Sequence, residues 1–462
     1  MEQKAVSAPT RVDMEKTMKR EMGERRKLLT GAATIAVGGL VAKVIGALYR
    51  IPLTNLIGSE GIGLYQLVYP FYCLLLTVSA TGIPSAIATL TARKFAAGET
   101  ALPLYKTCMR LFLWIGGVST LLMCLLAPWL SSLQGESRLV GGYLALAPSV
   151  IMVSAISVFR GYFQGKSEML PTALSEIIEQ VVKVSVGLAA AYYFRANTYR
   201  AVVALLGAVS VSELVALLFL YLRFRRSLAH DKNLKSGEKT TVKEVLRLSV
   251  PLTLSAGLIP LFSLVDSVVI VRILGGYTDN AVALYGLFAG GATTVINLPV
   301  SICYGIAAAS VPALSSAIKR GENGRKKLLY SLGLTAGLSA LSAVGLYLFA
   351  RPAVKILFSS LGAEEAELLI GLIKAFSVSA ITLSCTQTLS ACLTALGRPM
   401  HSAVSMLVAM LIKTAVSVWL LQIPAVGIYG AVVAASVGYA TSFLFDLFFA
   451  LHATKHTADK SA

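Results

Sequence analysis

Twelve stretches, each longer than 20 residues and mostly apolar, follow one another along this chain with only short polar breaks between them. A bilayer core of about 30 Å is crossed by roughly 20 residues of helix. Lipid offers the backbone no hydrogen-bond partners, so each crossing must close its own hydrogen bonds as helix. The pattern therefore predicts an all-α integral membrane protein with about 12 transmembrane helices. The expected spans are 28–49, 63–92, 104–131, 139–160, 171–194 and 200–222, then 248–272, 281–317, 327–350, 366–396, 400–421 and 427–451. Composition agrees, because only 14% of the residues are charged where soluble domains carry about 25%. The spans at 63–92, 281–317 and 366–396 are long enough to kink or tilt, and Pro70, Pro84, Pro299 and Pro312 supply breaks in the first two.

The formal charge of +18 would suit a nucleic-acid binder, but its distribution speaks for topology. With the N-terminus inside, 29 Lys and Arg fall on inner segments and 7 on outer ones. That asymmetry predicts a multi-pass cell-membrane protein with both termini cytoplasmic and no nucleic-acid partner. The polar first 27 residues read as a basic cytoplasmic tail rather than a signal peptide. The expected organisation is this tail (1–27), a six-helix bundle (28–222), a basic cytoplasmic linker (223–247), a second six-helix bundle (248–451) and a short tail (452–462).

The two bundles read as a duplication. Gly82-Ile83-Pro84 runs to Gly98-Glu99 as Gly305-Ile306-Ala307 runs to Gly321-Glu322, and Leu64-Tyr65 matches Leu284-Tyr285. Ala173 to Lys183 matches Ala403 to Lys413, each Lys ten residues on within an apolar helix. Three matches in one order argue for repeats. Six spans per repeat insert both the same way up, predicting two parallel bundles around a central cavity, a transporter architecture.

Ionisable residues at membrane depth are costly and are candidates for function. Lys43 and Arg50 lie seven residues apart on one helix face, where they could hold an anionic group against the alternative that Arg50 snorkels outward. Lys183 and Lys413 are further cavity candidates, and Gln66 and Asn297 weaker ones, since amides also serve to join helices. Asp266 is the repeat counterpart of Lys43, which suggests a gate in which the two pair and separate. Glu176, Glu179 and Lys183 share a face, with Glu179 and Lys183 in the favourable order for an ion pair. Glu213 is a partner candidate for Lys413 and, with Glu176 and Glu179, a candidate for ion coupling. Arg110, Lys374 and Asp446 fall near span ends, where side chains snorkel.

Other chemistry finds little footing. The six cysteines lie scattered in apolar stretches without metal or redox spacing, and the four histidines have no nucleophile or metal partner nearby. Gly161 to Lys166-Ser167 is one residue short of a phosphate-loop spacing and ends a membrane helix. The expectation is therefore a non-enzyme with no cofactor or metal, driven by an ion gradient or the membrane potential.

Several stretches carry a resemblance. They are Ile45-Gly46-Ala47-Leu48-Tyr49-Arg50-Ile51-Pro52-Leu53, Gly61-Ile62-Gly63-Leu64-Tyr65-Gln66-Leu67-Val68-Tyr69-Pro70 and Thr81-Gly82-Ile83-Pro84-Ser85-Ala86-Ile87. To these add Val265-Asp266-Ser267, Ile296-Asn297-Leu298-Pro299 and Ala395-Leu396-Gly397-Arg398-Pro399. Together they resemble the stage V sporulation protein B group of polysaccharide-biosynthesis transporters. That group belongs to the superfamily of multidrug and toxin extrusion proteins, oligosaccharide-lipid flippases and lipid II flippases. The resemblance implies an alternating-access flippase that moves an undecaprenyl-linked, anionic saccharide precursor from the inner to the outer leaflet, as in spore cortex peptidoglycan. Membrane lipids and cell-wall synthases are the partners this implies. Lipid II flippases carry fourteen spans where twelve are read here, and Lys43 stands where one of their cavity arginines would be. Two other readings remain open: a cation-coupled drug exporter on the same fold, and a membrane-embedded glycosyl-transferring enzyme.

Overall fold

The computed structural model describes residues 11–230, 242–320 and 324–459, all in helices and short connectors, with the side chain of Lys43 outside the described residues. The first ten residues of the expected tail and residues 231–241 of the expected basic linker also fall outside them.

The helices of the first half are α1 (Arg11–Ala80), α2 (Ile83–Ala96), α3 (Leu102–Leu133), α4 (Leu139–Gly165), α5 (Met169–Tyr193) and α6 (Thr198–His230). Those of the second half are α7 (Val242–Leu274), α8 (Ala281–Tyr285), α9 (Thr293–Lys319), α10 (Gly324–Leu357), α11 (Ala363–Phe376), α12 (Ser379–Ala395), α13 (Pro399–Leu421) and α14 (Tyr429–Asp459). A π-helical turn, Gly286–Ala292, joins α8 to α9.

Long spans break where their sequence weakens the helix. The expected first and second spans form one helical run in α1, bent at Gly58, whose φ of 71° lies in the left-handed region that side chains disfavour. The second span breaks again at Gly82, φ 78°, just before Pro84. The long eighth span is α8, the glycine-rich π turn and α9. The tenth is α11 and α12, bent by 49°. Among the described residues nine helices are long and apolar enough to cross a membrane, or ten with the bent pair counted as one. Dividing α1 at Gly58 and counting α5, whose Glu176, Glu179 and Lys183 lower its apolarity, completes twelve.

The same helix neighbours recur in both halves. In the first, α1 packs on α5, α5 on α6, and α4 on α2, α3 and α6; in the second, α7 packs on α13, α13 on α14, and α12 on α9, α10 and α14. That correspondence is the duplication read in the sequence, now realised as two parallel bundles.

The two halves share their largest core at one end. A large buried cluster runs from Leu53, Leu67 and Tyr143 of the first half to Leu274, Phe288, Val354 and Phe376 of the second. It lies toward the ends joined by the connectors after α3, α5, α7, α10 and α13. At the opposite ends, which carry the basic connectors, the cores are separate. One pair of clusters belongs to α2, α3, α4 and α6, with Val245 and Leu248 at the start of α7, and another belongs to α9, α10, α12 and α14. The molecule is thus sealed on one face and parted on the basic face.

Backbone packing makes the seal. A Cβ at Gly63 would stand 2.1 Å from the Val282 carbonyl oxygen, and one at Gly286 2.1 Å from that of Ser59. Only glycine admits two backbones this close. Polar bonds join the halves here too. Asn55 donates to the Leu357 carbonyl at 2.8 Å, Gln66 to that of Ala289 at 3.0 Å, and Gln134 to Ser267 Oγ at 3.0 Å. Ser59 donates to the Glu365 carboxylate, and Arg272 to the carbonyls of Ser132 and Leu133.

Candidate functional site

The parting of the halves leaves a cavity of about 530 Å³ walled mainly by α1 and α5, with Arg160 of α4 reaching in and α9 closing one side. Small residues bring its walls together: at Gly38 of α1, a Cβ would meet that of Ala173 of α5 at 2.7 Å. Small-residue faces of this kind let membrane helices approach closely. As a result Arg50, Tyr65 and Tyr69 of α1 face Glu176, Glu179, Gln180 and Lys183 of α5.

Among the described residues five charged side chains line this cavity: Arg50, Arg160, Lys183, Glu176 and Glu179. Arg50 reaches across to the second half, donating from Nη1 to Thr294 Oγ1 at 3.0 Å. It faces the interior, lining the cavity, rather than snorkelling to the outer surface. Arg160 donates from Nε to Ser175 Oγ at 3.0 Å and from Nη2 to Glu179 Oε2 at 3.1 Å. Gln180 donates to the other Glu179 oxygen at 3.1 Å.

Glu179 is therefore held by α4, and the expected pair with Lys183 along α5 does not form. An interhelical guanidinium, carrying several fixed donors, out-competes a flexible ammonium on the same helix. No ion pair or hydrogen bond ties the half-buried Lys183 to a described residue. Glu213 of α6 lies behind this wall, 4% exposed, with Oε2 unpartnered. Its nearest charges are Glu179, Arg160 and Lys183. It stands in the first-half cluster and is not the partner of Lys413.

A second cavity, of about 560 Å³, lies within the other half and is more apolar, with Tyr304, Gln387, Ser390, Ser402 and Ser442 among its walls. Here Lys413 of α13 donates to Asp266 of α7, an interhelical ion pair. This pair corrects the expected bond from Lys413 to Glu213 and commits Asp266 in the described state, while its expected gate partner, Lys43, has its side chain outside the described residues. The physical reason is proximity: α7 packs on α13, as its repeat counterpart α1 packs on α5. Lys43 itself lies outside the described side chains. Asn297 of α9 lines both cavities. Gln66 is buried and bonded to the π turn, which makes it a joint between the halves rather than a cavity residue.

Two charged residues were misplaced by span boundaries. Arg160, counted with an inner loop, sits inside α4, which continues as helix to Gly165. The signal lay in Phe159, Tyr162 and Phe163, which keep the stretch apolar up to Lys166. Asp446, assigned to a span end, is 0% exposed inside α14. Tyr65, Tyr69 and Thr294 joined the cavity without having been singled out, since nothing distinguishes a lining tyrosine or threonine from a core one in a helical pattern.

Comparison with known proteins places these features among relatives. Residues 28–318 match the model of a family described as polysaccharide biosynthesis protein. The chain is 29% identical to stage V sporulation protein B of Bacillus subtilis (strain 168) over 432 residues, 90% of this chain and 82% of that one. It is 22% identical to the lipid II flippase MurJ of the same organism, covering 91% of this chain and 81% of that one. In fold it is similar to an inward-facing multidrug resistance MATE family transporter of the MOP superfamily. The TM-score is 0.76 at 15% identity, covering 94% of this chain and all of that one.

Proposed function

Because the chain belongs to the polysaccharide biosynthesis protein family, and has the fold of the MOP transporters, we propose that it flips a lipid-linked saccharide whose headgroup carries phosphate. The basic face lies in the cytoplasm under this reading, so the sealed face is outermost and the described state opens inward. The headgroup enters the first-half cavity from the inner leaflet, and rocking of the two halves about the seal delivers it outward. An undecaprenyl-linked cell-wall precursor, lipid II-like, is the cargo that the sporulation and lipid II relatives favour. Spore cortex synthesis is the corresponding setting, with cell-wall synthases as downstream partners and an ion gradient or the membrane potential as the drive.

The observation that carries this reading is an imbalance between the repeats. In the second half, the fifth-span lysine, Lys413, is neutralised by Asp266 of the first span of that half. At the corresponding places of the first half stand Lys183 and Lys43, two cations. Arg50 adds a third, already spanning to the other half. A diphosphate would supply the counter-charge that Asp266 supplies in its own half, and Arg50 offers it a planar fork of donors.

Charge-assisted hydrogen bonds contribute about 1.5–3 kcal/mol each. Lys183→Met or Arg50→Gln should therefore slow flipping of a fluorescent undecaprenyl-diphosphate saccharide in proteoliposomes by roughly 10- to 100-fold, with insertion unchanged. Unimpaired flipping by the double variant, or efficient transport of a cationic dye in place of the lipid, would sink the anionic-cargo reading.

A further inference from the structure

We propose that Asp446 is a proton-binding site of the second half, reached from its cavity through the hydroxyls of Ser390 and Ser402. The residue lies on α14 and is 0% exposed. Its Oδ1 has no hydrogen-bond partner, and no ion pair with a described residue reaches it. Ser402 of α13 lies 3.3 Å from Oδ2, and Ser390 of α12 lies 2.8 Å from Ser402 Oγ. Both serines line the second cavity. Asp446 thus sits one side chain behind the cavity wall, connected to it by hydroxyls.

An ionised carboxylate cannot remain in so apolar a place without a counter-charge, and such a group neutralises by taking up a proton. Among the described residues, no ion pair from the helices packed against it supplies that counter-charge. On α13, Lys413 is committed to Asp266, and His401 packs its ring edge-on to Phe449 with its buried Nδ1 making no hydrogen bond, to Asp446 or to any other described residue. Cys392 of α12 is a buried thiol. The helix α10 meets this region through Leu328 and Leu332, its Arg325, Lys326 and Lys327 lying in its first turn. From α11, Phe376 stacks on Tyr439, seven residues before Asp446 on α14, about 10 Å along the helix.

Hydrogen-bond arithmetic agrees. Ser402 has one hydroxyl hydrogen and two acceptor neighbours. When it donates to Ser390, the contact with Asp446 requires that the carboxyl carry the hydrogen. Loading is simple protonation of the carboxylate, and release returns the proton through the same hydroxyls to the cavity.

Glu213 makes the contrast. It too is buried with a free oxygen, but Arg160 and Lys183 are near it. Among the described residues Asp446 has hydroxyls, not cations, beside it, so its charge state changes the electrostatics of its half. Within the flippase reading, on which this role in energy coupling rests, proton loading at Asp446 is how a pH gradient would bias the rocking of the two halves.

The test has two arms. In purified full-length protein, infrared spectra recorded across pH should show a protonated-carboxyl band at neutral pH. The band should vanish in Asp446→Asn and persist, shifted, in Asp446→Glu. Asn is nearly isosteric and retains the contact with Ser402, so size-exclusion profiles should match the parent. A band that survives in Asp446→Asn, or one that follows sodium at fixed pH, overturns the proposal. In proteoliposomes, stimulation of fluorescent lipid-linked saccharide flipping by an imposed pH gradient should be lost in Asp446→Asn while exchange without a gradient continues. An unchanged pH-gradient response in that variant overturns the coupling role. Should the Asp446 band behave as expected while no lipid-linked saccharide moves in any variant, the proton site stands and the flippase reading falls.

Discussion

Neutralising Asp266 alone, as Asp266→Asn, should destabilise the folded protein by about 3–5 kcal/mol, the usual consequence of stranding one member of a buried ion pair. The side chains of Lys413 and Asp266 are 12% and 13% exposed, so the remaining ammonium would find little water to replace its partner. Lys413→Met should be comparably damaging, because it strands the carboxylate instead. The double variant Asp266→Asn/Lys413→Met should recover most of the loss, since replacing both charges removes the desolvation cost along with the attraction. Thermal unfolding in detergent, followed by fluorescence-detected size exclusion, measures all three. If the double variant is as unstable as either single one, the pair is not the source of the effect.

The second large effect is expected at the seal. Gly63→Ala places a methyl group 2.1 Å from the Val282 carbonyl oxygen, and Gly286→Ala does the same against Ser59. Neither obstacle is a side-chain tip that can swing aside, so the backbones must separate. Overpacking of this kind costs about 1–3 kcal/mol, enough to shift a two-state equilibrium roughly 5- to 150-fold toward the state in which the seal is open. The readout is cross-linking between cysteines introduced as Asn55→Cys and Ser360→Cys, whose parent residues bond across the seal at 3.1 Å. Cross-linking should fall in both alanine variants. It should be unchanged in Gly333→Ala, where an added Cβ meets nothing within 4 Å. Equal cross-linking in all three would mean that the close glycine contact does not hold the seal.

Both effects depend on pairs drawn from distant parts of the chain, which explains what could be read in advance. Span number followed from hydropathy, because every crossing needs about the same length of apolar helix wherever it lies. Arg50 and Lys183 were recognisable for the same reason: a cation within an apolar stretch is conspicuous without any knowledge of its neighbours. Partners were another matter. Lys413 was assigned Glu213 on depth alone, whereas the choice of Asp266 is made by the packing of α7 on α13. Glu179 seemed committed to Lys183 four residues away, yet Arg160 from another helix takes it. The misreading of Asp446 has a simple origin too. A charge five residues from the expected end of its span, at residue 451, reads as snorkelling unless the helices covering it are known.

Taken by itself, the sequence determined the membrane-spanning all-α class, the twofold repeat and the presence of buried cations in the first half. Each of these depends on the identity and spacing of residues along one helix, and a bilayer imposes the same requirement on every helix. Only the tertiary structure decided which charges neutralise one another, which face of the molecule is sealed, and that Asp446 is left with hydroxyls for company. Those outcomes are set by side chains from different helices meeting within a few ångströms, where the absence of water makes every missing partner costly.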